Sequence, residues 1–245
     1  MKFLIALQFL TIFPINIKTE IKKEDFGKSF LYFPLVGLLI GLFLVLSAFL
    51  FSFLPEFISA SFVLLVSIII TGGLHIDGLA DTCDGFYGNR SKEKILEIMR
   101  DSNVGAMGAI GIVILLLMKF SFISSICDIE LYKILIAITV FSRWAQSLVC
   151  CLSSYVRKEG KAKYFIDYVR KKDVIAGGIF TLILFLLLMK IKGLILFFLS
   201  TLIVFLFLLY IKKKIGGITG DIIGAISEVS EITVFLIFFI LDFSI

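Results

Sequence analysis

The chain has 245 residues, 60% of them hydrophobic with 27 Phe, and a formal net charge of +5. Its apolar runs repeatedly reach the roughly 17–25 residues needed to cross hydrocarbon, so it reads as a polytopic membrane protein with no separate soluble domain. The positive charge is scattered over loops, which excludes a basic nucleic-acid-binding domain and fits contact with anionic lipid headgroups.

In chain order, residues 3–17 form a short apolar segment, either re-entrant or lying at the interface. No small-residue cleavage site precedes the basic stretch 18–28, so the segment does not read as a cleavable signal peptide and is expected to be retained. Seven spans are expected, over 30–54, 57–80, 104–124, 131–153, 174–189, 193–211 and 222–241. The expected fold is therefore an all-α helical bundle of about seven transmembrane helices, one integral membrane domain over residues 1–245. Pro14, Pro34 and Pro55 fall near span ends, where a missing N–H is least costly. Gly37 and Gly41 are spaced for close helix approach, as are Gly105, Gly108 and Gly111. No internal repeat is visible, which disfavours an inverted-repeat transporter. The four cysteines, Cys83, Cys127, Cys150 and Cys151, contain no CxxC pair and read as apolar fillers.

Charge sets the orientation, because cytoplasmic loops retain Lys and Arg. One face carries Lys2, Lys18, Lys22, Lys23 and Lys28, then Arg90, Lys92, Lys94 and Arg100, then seven basic residues over 157–172 including Arg157 and Lys161, then Lys212, Lys213 and Lys214. The other face offers only Lys133, Lys190 and Lys192. The connections 81–103 and 154–173 are therefore expected in the cytoplasm.

Three acidic constellations carry the chemistry. The first is TGGLHIDGLADTCDGF, residues 71–86. On a helix Asp77, Asp81 and Asp84 fall at about 0°, 40° and −20°, one narrow face. Three uncompensated aspartates in hydrocarbon would cost on the order of 8–10 kcal/mol, so they must lie near the interface, line a wet cavity or hold cations. Mutual repulsion favours a divalent ion, and oxygen ligands suit Mg²⁺. Gly72, Gly73, Gly78 and Gly85 leave space for a bulky ligand. The plainer reading makes the three aspartates N-cap and helix-end carboxylates. His75, the one histidine, is a candidate general base, metal ligand or orienting group; a zinc site with Cys83 lacks the customary spacing.

The second, LEIMRDSNVG over 96–105, puts Glu97 and Asp101 one helical turn apart beside Arg100; its bland reading is a solvated interfacial helix. The third, GGITGDIIGAISEVSE over 216–231, brings Asp221, Glu228 and Glu231 down one side of a span beside small residues, which requires a polar cavity. Its opening turn, with Gly217, Thr219 and Gly220, is placed to offer backbone N–H groups to a phosphate. It lacks a Walker A lysine, so ATP hydrolysis is not supported. Arg143 is an intramembrane cation needing an anion, a phosphate or one of these acids.

In this order and spacing the three motifs closely resemble the cobalamin synthase family, the adenosylcobinamide-GDP ribazoletransferases. ALQFLTIFP at 6–14 and the Ser142–Arg143 pair are similar too, so the resemblance covers nearly the whole chain. It implies a multi-pass cell-membrane transferase that joins adenosylcobinamide-GDP and α-ribazole, or its 5′-phosphate, to give adenosylcobalamin, or its 5′-phosphate, and GMP, with Mg²⁺ as cofactor. By position, Asp77, Asp81 and Asp84 would hold the metal, and Asp84, Asp101, His75 and Arg143 would be the catalytic candidates. Arg100, Gly217, Thr219, Gly220, Asp221 and Glu228 would bind substrate. Membrane lipid is the implied surrounding; a homo-oligomer and a complex with other cobalamin-assembly enzymes are the two assemblies to test. Ile12 departs from the family, where many members have Arg. DTCDG at 81–85 also resembles the DxxDG core of CDP-alcohol phosphotransferases, without the rest of that signature. The rivals are accordingly a phospholipid-making phosphotransferase of that kind and a secondary transporter whose acids couple ion flow.

Overall fold

The computed structural model describes residues 1–17, 20–126, 128–160 and 162–243. Lys18, Cys127 and Lys161, which entered the charge and cysteine readings, lie outside the described residues. Among the described residues eleven α-helices follow in order: α1 (Lys2–Leu10), α2 (Lys23–Ser29), α3 (Phe33–Leu50), α4 (Glu56–Thr71), α5 (Leu74–Phe86), α6 (Lys92–Ile98), α7 (Ala106–Ser124), α8 (Asp128–Leu152), α9 (Lys163–Asp167), α10 (Lys171–Ile215) and α11 (Gly220–Phe243). No strand occurs among the described residues; one isolated bridge joins Tyr155 to Ile218. The chain is an all-α polytopic membrane protein.

By length and composition five helices among the described residues can cross a membrane, or six when α4 and α5 count as one bent span. The expected seven counted the two arms of α10 apart. The chain reverses at Lys190 (φ 54°, ψ −133°), and Gly193 packs directly on the backbone carbonyl of Phe185, so 171–189 and 191–215 lie against each other as a hairpin.

The centre of the bundle is α8, which packs against α3, α10 and α11. Its contact with α3 uses the GxxxG spacing: a Cβ on Gly37 would lie 2.5 Å from the Thr139 carbonyl oxygen, and one on Gly41 2.9 Å from the Ile136 Cα. Small residues at that spacing let the two backbones meet, as expected. Around α8, Phe141, Trp144, Phe185 and Phe197 form an aromatic cluster joining it to both arms of α10.

Two sequence expectations change. The segment 3–17 contributes a short helix, α1, whose Ile5, Ala6 and Leu10 are buried against α2 and α3. The expected span over 57–80 does not run on into the first acidic motif. Gly72 and Gly73 adopt left-handed φ values of 62° and 68°, which only glycine takes without strain. There α4 ends and α5 departs at 89°.

Candidate active site

Because of that break, α5 carries the motif 71–86 on its own helix, wedged between α7 and α11. The helix restarts with Asp77 N–H bonded to the Gly73 carbonyl at 3.0 Å. A Cβ on Gly78 would lie 2.6 Å from the Asp221 carbonyl oxygen, and one on Gly224 3.2 Å from the His75 Cα. Gly78 thus makes room for the crossing helix, Gly85 lies against Met99 and Ile95, and Gly73 has open space beside it; the crossing is what carries Asp221 to Asp77 and Asp81. Asp81 feels the negative charges of Asp221 and Asp77 and the positive charge of Arg157.

A cavity of about 720 Å³ opens at this crossing, with walls from α1, α5, α8, α11 and residues 155–162. That is the size of a small-molecule site. His75, Asp77, Arg100, Gly220 and Asp221, all expected site residues, line it. Asp77 is exposed to it, and its carboxylate has no hydrogen-bond or ion-pair partner among the described residues. His75 is buried to 2% exposure with neither ring nitrogen partnered, and Gln146, fully buried on α8, has an unpartnered Oε1.

Other expected site residues are elsewhere. Asp84 shares the α5 face with Asp77 but caps α7: its carboxylate accepts from Gly105 N–H at 2.8 Å and Gly108 N–H at 2.9 Å. The plainer reading of the aspartates as caps describes this one. With Asp101 it borders a second cavity of about 500 Å³. Asp101 is exposed, and the Asn103 backbone and side-chain N–H groups hold its carboxyl below the usual carboxylate range. Arg143 and Glu228 line neither cavity. Arg143 Nη1 donates to Ser142, Ser227 and, at 3.2 Å, Glu231. Glu228 and Glu231 both accept from Lys119 Nζ, at 2.5 and 2.6 Å. These four charges sum to zero and are buried to 4% exposure or less. The anion that Arg143 needed is a glutamate of the third motif; Asp221 meets the cavity, whereas around Glu228 and Glu231 a closed ionic network stands in its place.

The turn before α11 is fixed by protein contacts. Ile218 N–H donates to the Ser154 carbonyl and its own carbonyl accepts from Val156 N–H. Gly217 sits against the Ser154 carbonyl, where a side chain would clash. Thr219 Oγ1 accepts from Ile222 N–H at 3.3 Å and so caps α11. Gly217 and Thr219 therefore position the helix, and Gly220 alone of the turn lines the cavity.

Two residues had not been singled out. Arg157 Nη2 pairs with Asp221 at 2.7 Å and donates to the Met99 carbonyl at 3.0 Å, tying the 154–162 loop across the site. In sequence it is one of a basic run and was absorbed by the topology argument. Lys119 was hidden inside the apolar run of 104–124; an ionisable residue within a span is itself the signal that finds it. Next to Arg157, burial pushes the Tyr155 phenol above its ordinary value.

Among the described residues no three His, Cys, Asp or Glu side chains converge into a ready metal cage. The cluster at the crossing nevertheless holds three carboxylates, Asp77, Asp81 and Asp221, against one guanidinium, Arg157, a net charge of −2. Hard oxygen donors with that deficit suit Mg²⁺ in its usual mode, one or two carboxylates completed by substrate phosphates.

Residues 2–239 match the family model described as cobalamin-5-phosphate synthase. Among similar proteins, one from Acetivibrio thermocellus is 38% identical over 242 residues, covering 98% of this chain and 97% of its own. One from Acinetobacter baumannii strain ACICU is 38% identical over 244 residues with the same two coverages, and one from Clostridium acetobutylicum is 36% identical over 237, covering 94% and 92%. All three are named adenosylcobinamide-GDP ribazoletransferase. No solved structure matches the chain.

Proposed function

The chain belongs to the cobalamin-5-phosphate synthase family, and from that premise we propose that the cavity at the α5–α11 crossing is where it acts as an adenosylcobinamide-GDP ribazoletransferase. Membership makes it a transferase of cobalamin biosynthesis and sets aside the phospholipid-synthase and transporter readings. The observation that carries the assignment of the site is the unpartnered carboxylate of Asp77 in a cavity where Asp221 pairs with Arg157, with Asp81, outside the cavity lining, close enough to feel all three charges.

In the proposed reaction the 3′-hydroxyl of α-ribazole, or of its 5′-phosphate, attacks the phosphorus attached to cobinamide. A new P–O bond forms, the bond to the GMP oxygen breaks, and GMP leaves. Asp77 faces the cavity without a partner and takes the hydroxyl proton. Arg100 and Arg157 bind the phosphates and stabilise the charge that moves onto GMP. Asp81 and Asp221 would hold Mg²⁺, which, when bound, supplies charge neutralisation at the diphosphate. Asp84, as the cap of α7, keeps α5 in register. The basic residues at the cavity end, among them Arg90, Arg100, Arg157 and Lys212–Lys214, support a cytoplasmic mouth.

The test is turnover by the purified protein in liposomes, following α-ribazole label into the cobalamin product and quantifying GMP. Asp77→Asn should lower kcat on the order of 10²-fold or more, in the range of general-base losses. Near-normal kcat in folded Asp77→Asn protein would remove Asp77 from the mechanism. Product formation unaffected by both EDTA and Asp81→Asn would remove the metal.

A further inference from the structure

Two buried groups in the cavity lining have no part in the proposed reaction and no partner for a polar side-chain atom. His75 comes from α5 and Gln146 from α8; both line the cavity, at 2% and 0% exposure. Both His75 ring nitrogens and Gln146 Oε1 lack any hydrogen-bond partner. Gln146 Nε2 donates to the Ile223 carbonyl at 3.3 Å, which fixes the way its amide faces and leaves the oxygen free. Buried polar groups are nearly always hydrogen-bonded, so two such groups in one cavity call for a ligand that completes both.

The chemistry of the pair defines the edge they fit. A neutral imidazole offers one N–H donor and one acceptor nitrogen, on opposite sides of the ring edge, and the Gln146 oxygen can only accept; a ligand that meets the donor and that oxygen together has a defined edge. The matching ligand edge has an acceptor beside a donor. Three bases arrive with the proposed substrates. The adenine of the adenosyl group also sets an acceptor, N1, beside a donor, its 6-amino group, but its nucleoside carries no phosphate to reach Arg100 and Arg157. The dimethylbenzimidazole of α-ribazole, once glycosylated, keeps a single acceptor nitrogen and no N–H. Guanine presents O6 beside N1–H and the 2-amino group. The cavity also grades from charged to neutral: Arg100 is exposed and Arg157 half-buried, whereas His75 and Gln146 are fully enclosed near Leu74 and Ile223. A guanosine phosphate suits that gradient with its base inward and its phosphates at the arginines.

We propose that His75 and Gln146 form a guanine-recognition subsite, His75 donating to O6 and Gln146 Oε1 accepting from N1–H and the 2-amino group, so that the GDP arm of the substrate is read by the base before its phosphates react. This rests on the ribazoletransferase reading of the same cavity. His75 is on this account a specificity residue.

The full chain in lipid nanodiscs is equilibrated with radiolabelled GMP, and GMP, N1-methyl-GMP and α-ribazole 5′-phosphate are compared as competitors. N1-methyl-GMP should bind roughly tenfold more weakly than GMP, the worth of one neutral hydrogen bond. Gln146→Leu should lose a similar factor for GMP, lose the discrimination against the methylated base, and leave α-ribazole 5′-phosphate unchanged. Equal binding of GMP and N1-methyl-GMP by the unaltered protein would overturn the subsite, with no variant required to fold. A Gln146→Leu protein weakened for α-ribazole 5′-phosphate instead of GMP would assign the cavity floor to the other substrate and overturn it too. Turnover of adenosylcobinamide-GDP by the same preparation separates the two claims: product with no GMP discrimination refutes the subsite alone, and absence of product refutes the reaction beneath it.

Discussion

Asp84 decides whether the first acidic motif is one metal-binding set or two separate devices. Its carboxylate takes two N–H groups of the first turn of α7, at 2.8 and 2.9 Å. Removing a capping side chain costs about 0.5–2 kcal/mol, and a carboxylate at a helix N-terminus adds about 0.3–1 kcal/mol through the helix dipole. Asp84→Ala should therefore destabilise the protein by about 1–3 kcal/mol. Asp84→Asn keeps an acceptor and the cap, so its loss should stay under about 1 kcal/mol. Neither change should alter the proposed Mg²⁺ requirement, because both oxygens accept from the start of α7. The assay is a Mg²⁺ titration of turnover for each variant, paired with denaturant unfolding in detergent. A cap gives an Mg²⁺ midpoint within about twofold of the unaltered protein and the order Ala worse than Asn in stability. An Asp84→Asn protein of full stability that needs tenfold or more Mg²⁺ would refute the cap assignment and return Asp84 to the metal.

The neutral network behind the cavity predicts a charge-balance effect. Lys119→Met leaves Glu228 and Glu231 with Arg143 alone and should cost about 3–5 kcal/mol, the usual loss on breaking a buried pair; adding Glu228→Gln should recover a large part of it, which a double-mutant cycle in detergent unfolding measures. Gly78→Ala forces a Cβ to 2.6 Å from the Asp221 carbonyl, so α5 must shift from α11; a stability loss of about 1–3 kcal/mol with a larger loss of turnover is expected, and an unaffected enzyme would refute the close crossing. Arg157→Lys keeps the charge but shortens the side chain whose Nη2 reaches both Asp221 and the Met99 carbonyl; KM for adenosylcobinamide-GDP should rise while the fold, followed by Trp144 fluorescence, is unchanged. EDTA should abolish turnover and added Mg²⁺ restore it, a result read directly from GMP release.

How far the sequence revealed the site depended on which physical quantity a residue answers to. Helical periodicity placed Asp77, Asp81 and Asp84 on one face, and the structure keeps them there. A shared face is not a shared environment, however: seven residues along a helix are about 10 Å, enough to pass from an open cavity at Asp77 to the start of α7 at Asp84. The distinction was present in the sequence as Gly105 and Gly108, whose missing side chains admit the Asp84 carboxylate, but it became readable only once α5 and α7 were neighbours. Gly72 and Gly73 show the same limit. Two adjacent glycines before an acid fit both a ligand-sized gap and a left-handed break, and only the second turns the helix by 89° and lets α5 lie against α11.

Arg143, a catalytic candidate, and Glu228, a substrate-binding one, lie away from both cavities for a related reason. Intramembrane charge always demands a partner, and the sequence counted the acids of 216–231 without the lysine at 119 that balances them. With Lys119 included, the arithmetic changes: Lys119 and Arg143 cancel Glu228 and Glu231 within the bundle, whereas Asp77, Asp81 and Asp221 exceed Arg157 by two charges at its edge. The closed set needs nothing from outside, so it serves to hold α7, α8 and α11 together. In the proposed reaction a cation and a phosphate-bearing ligand would complete the open set, and that imbalance, more than the number of acids in any one motif, separates the site from the scaffold.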